Sequence, residues 1–183
     1  LLAINVFLTI YSATRGIVTL ISSFNKVDSS FFQRSWLEER WVAIQILFVL
    51  LGLLFFCMGF LISGDIILNY LHEWQIVSSK ILYYLLHFLN WIVYLFLLLV
   101  SVSFLYYKAP ARHRKWAFFT PGAFLAAFLC VLATLGLRFF VSNFNTYNTL
   151  YGSLAAIMLL MIWFQWISIV LLIGFDLNVS IDR

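Results

Sequence analysis

The chain has 183 residues, of which 64% are apolar, 20% aromatic and 10% charged, with eleven basic and seven acidic side chains giving a net charge of +4. A soluble domain carries about 25% charged residues, so this composition, with a mean hydropathy of +1.03, excludes a soluble fold. No apolar run alternates with period two as an outer-membrane barrel strand would, so the expected fold class is all-α, a polytopic transmembrane helix bundle.

The chain opens on LLAINVFLTIYSA, thirteen mostly apolar residues. They are too few to cross a hydrocarbon core of about 30 Å and lack the basic flank of a signal peptide. They read as the tail of a fifth helix. Residues 1–183 are then a single transmembrane domain, a fragment lacking the N-terminal helix or helices. Residues 14–41 are the most polar stretch, and within them Ile17, Leu20, Ile21 and Phe24 recur at helical spacing. That amphipathic pattern predicts a cytoplasmic segment lying in the membrane interface. Ser30 and Gln33 have the spacing of a capping box, which places the next helix start there. Four full spans follow, at about 42–63, 81–107, 117–141 and 152–175.

Laying out these spans puts Arg15, Lys26, Arg34, Arg40, Lys108, Arg112, Arg114, Lys115 and Arg183 on one side of the membrane, and only Lys80 and Arg138 toward the other. Positively charged loops stay inside, so the first side is cytoplasmic, as is the C-terminus. The run KAPARHRKW becomes a cytoplasmic turn whose charge sets topology. Its Arg112, Arg114 and Lys115 can meet anionic headgroups of membrane lipids, and no nucleic-acid partner is implied. The connector SNFNTYNTLYG lies outside and holds the last two spans antiparallel and adjacent.

Polar residues inside the spans are the candidate site. At 100° per residue, Thr120, Ala123, Ala127, Cys130 and Thr134 share an arc of roughly 80°, a small face that should be buried against a neighbouring helix. Arg138 lies in the same arc, about 5 Å inside the outer boundary at 1.5 Å per residue. Tyr83, His87, Asn90, Tyr94 and Ser101 form a stripe on the preceding span, and Gln165 sits near the middle of the last. An ionisable residue within a span marks a functional site by default. Arg138 is therefore expected to face a water-filled pocket near His87 and to contribute to binding an anionic group, with an ion pair to Asp65 or Glu73 as the rival. Tyr83, His87, Asn90, Tyr94, Arg138 and Gln165 are the substrate-binding candidates. Gly52, Gly59 and Ser63 form a further small face expected to serve packing. Cys57 and Cys130 lie deep in spans as small hydrophobes. His72, His87 and His113 have no ligand-spaced partners, so neither a metal nor a cofactor is expected.

Tyr151, Gly152 and Ser153 open the last helix, LLMIWFQW fills its middle, and Gly174, Asp176, Leu177 and Asn178 close it. Tyr107, Pro110, Arg112, Arg114 and Lys115 precede the helix start at Pro121 and Gly122, and upstream stand SATRG and Asn25. In these motifs the chain resembles the YihY/virulence factor BrkB family of bacterial inner-membrane proteins, formerly named ribonuclease BN. It departs from the family at Phe175 and Asp176, where alanine and glutamate are common. The resemblance implies an inner-membrane protein of about six helices whose activity is unsettled, with transport of a solute or lipid the usual suggestion.

Three functions compete. A transporter or flippase-like protein would use a polar interior of His87, Asn90, Arg138 and Gln165. A scaffold or assembly subunit would use its small faces to hold partner subunits or further copies of itself. A ribonuclease needs clustered metal-binding carboxylates and histidines, or a paired acid and base; the sequence has no such constellation, and no enzyme activity is expected.

Overall fold

The computed structural model describes residues 2–27, 34–73, 80–111, 117–143 and 153–182. They form five helices, α1 (Leu2–Asn25), α2 (Trp36–Glu73), α3 (Lys80–Lys108), α4 (Pro121–Asn143) and α5 (Ser153–Asp182). Each contains a segment long and apolar enough to cross a membrane: Ile4–Asn25, Trp36–Gly59, Phe88–Lys108, Pro121–Ser142 and Ile157–Asp182. The molecule is an all-helical, integral membrane protein.

The N-terminal third differs from expectation. The thirteen-residue tail and the start of the polar segment are one unbroken helix, because Thr9, Thr14, Thr19, Ser22 and Ser23 each return their hydroxyl to a carbonyl three or four residues back and so cost the helix no unpaired polar group. The stripe expected at the membrane surface packs on protein instead: Ile21 and Phe24 are fully buried, and Ile17 and Leu20 lie against the same core. Arg15 accordingly sits inside α1 rather than in a loop.

Helix boundaries shift for local reasons. Ser30 and Gln33 lie outside the described residues, and α2 starts at Trp36. There Ser35 and Glu38 make the reciprocal box: the Ser35 N–H donates to Glu38 Oε2 at 3.2 Å and the Glu38 N–H to Ser35 Oγ at 3.4 Å. α2 continues to Glu73, ten residues beyond the expected end at 63, and α5 runs on to Asp182. α4 starts at Pro121, four residues later than the pattern of hydropathy alone places it. The expected connector between α4 and α5 lies outside the described residues.

The helices form a ring in which α1 packs on α2, α2 on α3, α3 on α4 and α4 on α5, and α1 meets α5 over a small area. Among the described side chains, burial is concentrated at one end of that ring: Thr14, Ile21 and Phe24 of α1, Ala43 and Ile46 of α2, Val102, Ser103, Leu105 and Tyr106 of α3, Ala123, Ala126, Ala127 and Cys130 of α4, and Val170, Leu171, Phe175, Asn178 and Val179 of α5. These are the C-terminal parts of α1, α3 and α5 and the N-terminal parts of α2 and α4, so successive helices run antiparallel and one end is closed. Toward the other end residues such as Phe7, Phe55, Phe88, Phe139 and Met161 are all exposed. Among the described residues Gly52 and Gly59 have no neighbour near the space a Cβ would take, so these two members of the small face expected to pack α2 make no close contact there; the side chain of Ser63 lies outside the described residues.

Two glycines set the closed end. A Cβ on Gly122 would strike the Gly174 carbonyl, and one on Gly174 would lie 2.6 Å from the Gly122 carbonyl and 2.7 Å from Ala126 Cβ, so α4 and α5 touch backbone to backbone. Gly174→Ala should therefore push the helices apart, lowering both the unfolding temperature and the yield of monodisperse protein in detergent. Gly136→Ala, at a position with open space around it, should be silent in the same measurements.

Candidate functional site

The residues that carry the sequence motifs converge on the closed end. A threonine followed by proline is a helix start, the hydroxyl capping and the proline sitting where no N–H is needed. Here Thr120 Oγ1 accepts from the Ala123 N–H at 3.2 Å, while the intervening Gly122 N–H donates to Asn178 Oδ1 at 2.8 Å. Asn178 completes the circuit by donating from Nδ2 to Thr120 Oγ1 at 2.9 Å. One buried amide on α5 thus satisfies the start of α4. Beside it Tyr106 donates its hydroxyl to the Leu171 carbonyl at 2.7 Å, and its ring meets Phe24 and Phe175 edge-on at centroid distances of 5.8 Å. Phe24 and Phe175 stack at 4.3 Å, tying α1 to α5.

The segment that follows α3 is fastened in the same region. The guanidinium of Arg34 donates to the Ala109 carbonyl at 2.8 Å and the Pro110 carbonyl at 3.0 Å, and Asn25 Oδ1 accepts from the Ala111 N–H at 3.1 Å. Partial burial pulls the Arg34 pKa down while Glu39 and Glu38 pull it back up; arginine stays charged throughout the physiological range. Arg40 is placed differently. Its guanidinium carbon lies 4.9 Å from the Tyr11 ring centroid and 5.3 Å from that of Trp36, with Nε and Nη1 enclosed and without an acceptor. The rings supply the attraction that no carboxylate provides.

The substrate-binding candidates lie away from the closed end. Asn90 is half-buried, and its Oδ1 is enclosed without a donor. Tyr94, one turn on, is also half-buried, within electrostatic reach of Cys57 on α2 and Cys130 on α4. The structure brings these two together on the inner side of α3. The side chains of Tyr83 and His87 lie outside the described residues, as do those of Asp65 and Glu73 and the whole of Tyr151, Gly152, Arg112, Arg114 and Lys115. On α4 the small face is buried as expected at Thr120, Ala123, Ala127 and Cys130, but Thr134 and Arg138 on the same arc are exposed, although the Trp163 indole N–H of α5 still donates to Thr134 Oγ1 at 3.4 Å. Gln165 is exposed too. An apolar cavity of about 540 Å³ opens between α4 and α5, walled by Leu132, Ala133, Gly136, Trp163 and Trp166; Arg138 is not part of it. Among the described residues no three His, Cys, Asp or Glu side chains are placed to hold a metal ion.

Sequence reasoning missed Arg34, Tyr106 and the capping role of Thr120. The Thr-Pro-Gly run was a readable signal for Thr120; the partners of Arg34 and Tyr106 are more than 60 residues away in sequence, and nothing local announces them.

The family model described as virulence factor BrkB matches residues 1–183, the whole chain. The chain belongs to this family. Among BrkB relatives, the ribonuclease-like protein YfkH of Bacillus subtilis is 25% identical over 183 residues, all of this chain and 66% of that protein. A UPF0761 membrane protein of Tolumonas auensis is 30% identical over 159 residues, 82% of this chain and 48% of that protein. One from Legionella pneumophila is 29% identical over 177 residues, 92% of this chain and 39% of that protein. The chain thus spans between two fifths and two thirds of these BrkB relatives. No solved structure matches it.

The Thr120–Gly122–Asn178 circuit is the part of the closed end whose role is plainest. Asn178→Ala strands a buried N–H and a buried hydroxyl, and should cost about 1–3 kcal/mol, measured as the shift in reversible unfolding in a detergent titrated with denaturant. Thr120→Ala should cost about the same. The double variant should cost well under the sum, since both residues belong to one hydrogen-bond unit.

Proposed function

We propose that the protein moves a polar or anionic solute, or a lipid, across the bacterial inner membrane, and that it is not an enzyme. The observation that supports this most directly is Asn90 Oδ1, an enclosed acceptor with no donor, one turn from Tyr94 on α3. A buried carbonyl left unpaired costs about 1–3 kcal/mol. A solute or water donor arriving between the helices would relieve that cost, and Tyr94 beside it offers a hydroxyl. A bundle packed tightly at one end, with an apolar cavity between α4 and α5 farther along, is what a carrier needs at one stage of alternating access. Scaffolding alone gives no reason to keep an unpaired amide there.

Orientation follows from charge. With Arg15 inside α1, the other basic residues among the described ones divide into Lys26, Arg34, Arg40 and Lys108 toward the closed end and Lys80 and Arg138 toward the far one. The closed end is therefore assigned to the cytoplasm, with the C-terminus, and Arg138 to the outer half, where it can attract anions into the opening.

Single cysteines at His113 and Asn145, in a background lacking Cys57 and Cys130, should react with a membrane-impermeant maleimide from opposite sides of the membrane; reaction of both from one side would refute the orientation. For the function itself, the whole protein reconstituted in liposomes should move a fluorescent anionic lipid or solute faster than empty liposomes. Asn90→Leu should cut that rate at least tenfold while leaving the unfolding temperature unchanged or higher. A variant as active as the parent would show that Asn90 merely packs.

A further inference from the structure

The seam between α1 and α5 carries a second feature, distinct from the inner face of α3. A hollow of about 430 Å³ lies in it, lined by Ser23, Lys26 and Val27 from the end of α1 and by Leu172, Ile173 and Asp176 from α5. The Phe24–Phe175 stack is the immediate neighbour in sequence of both walls and fixes their spacing. Lys26 and Asp176 are both exposed and line this one hollow, yet no ion pair or hydrogen bond joins them. A cation and an anion held on facing walls without closing on each other suit a ligand that carries both charges.

What lies around the hollow narrows the ligand to a lipid. Leu172 and Ile173 belong to the membrane-crossing part of α5, so an apolar wall begins directly beside the charges. Both helices place their C-terminal ends at the closed end, so they run parallel along the seam. On α1 the exposed residues Thr9, Ser12, Gly16 and Thr19 continue upward from Ser23 at helical spacing, and Gln165 stands on α5 seven residues before Leu172, on the same face. The hydroxyls of Thr9, Thr19 and Ser23 are spent on their own helix, which leaves their oxygen lone pairs as acceptors for an ammonium group or water. A second hollow, lined by Asn5, Thr9 and Ser12, lies farther along the same stripe.

We infer that the α1–α5 seam binds a zwitterionic aminophospholipid, its phosphate on Lys26, its primary ammonium on Asp176, and its acyl chain along Leu172 and Ile173. Lysine is suited to the phosphate as a compact charge with three donors, and a primary ammonium can donate to a carboxylate where a quaternary one cannot. An anionic glycerol headgroup would leave Asp176 facing like charge. The site requires only this seam, and it stands whether or not the inner face of α3 carries a transported solute.

The test is lipid retention by the purified whole protein, reconstituted in nanodiscs of equimolar phosphatidylethanolamine, phosphatidylcholine and phosphatidylglycerol with matched chains and then read by native mass spectrometry. Phosphatidylethanolamine should be retained above the other two. Asp176→Asn should lower the ratio of phosphatidylethanolamine to phosphatidylglycerol by about threefold, the size expected for one exposed charge contact. Lys26→Gln should lower total retention. The exchange variant, Lys26→Asp with Asp176→Lys, should restore the preference. Ile173→Trp, which fills the hollow and alters neither charge, should lower retention of all three lipids. Equal retention of the three lipids by the parent, or a parental lipid profile in Ile173→Trp and in whichever charge variants remain monodisperse, would overturn the site.

Discussion

Backbone contact between Gly122 and Gly174 is the constraint on which the closed end rests. Two helices can approach this closely only where neither has a Cβ, and at that separation the open donors of the α4 start fall within reach of a side chain on α5. Asn178 occupies that place one turn beyond Gly174. Its amide can accept from Gly122 and donate to Thr120 only because the glycines have already removed the intervening space. Tyr106 then finds the Leu171 carbonyl, and Phe175 is carried into position to stack on Phe24. In a lipid medium, where apolar side chains gain little by leaving the solvent, such close packing and hydrogen bonding replace the hydrophobic drive of a soluble core.

Most of the fold was legible in the sequence because the bilayer restricts what a spanning chain can do. Length and hydropathy placed α2 through α5 nearly in register, and the small arc on α4 was correctly expected to be buried as far as Cys130. The errors came from treating polarity as an end to a helix. Thr14, Arg15, Thr19 and Ser22 made the middle of α1 look like a surface segment, yet serine and threonine hydroxyls can be satisfied by their own helix, so a polar residue in a span need not mark its limit. The exposure of Thr134 and Arg138 escaped extrapolation for a different reason: helical periodicity gives direction around an axis and says nothing about how far along that axis burial extends.

The site is harder to read than the fold. The motif residues Gly122, Gly174 and Asn178 contact one another, a structural explanation for features that sequence alone leaves ambiguous. Asp176 is the exception among them, exposed beside the buried Phe175, and its position facing Lys26 across the seam became visible only when two segments 150 residues apart were brought together. Asn90 and Tyr94, by contrast, were noticed from spacing alone, since a polar stripe on one face of a leucine-rich helix needs no partner to be visible, and the structure makes both half-buried.

Contact between two glycines makes the α4–α5 crossing a pivot. A span of about 22 residues is roughly 33 Å long, so a tilt of about 5° at the glycine contact displaces the far tip by about 3 Å, comparable to the width of a water molecule. Motion amplified in this way requires no rearrangement of the closed end, whose hydrogen bonds and ring contacts act as the fulcrum; the load falls instead on contacts farther along the lever, such as the Trp163–Thr134 hydrogen bond.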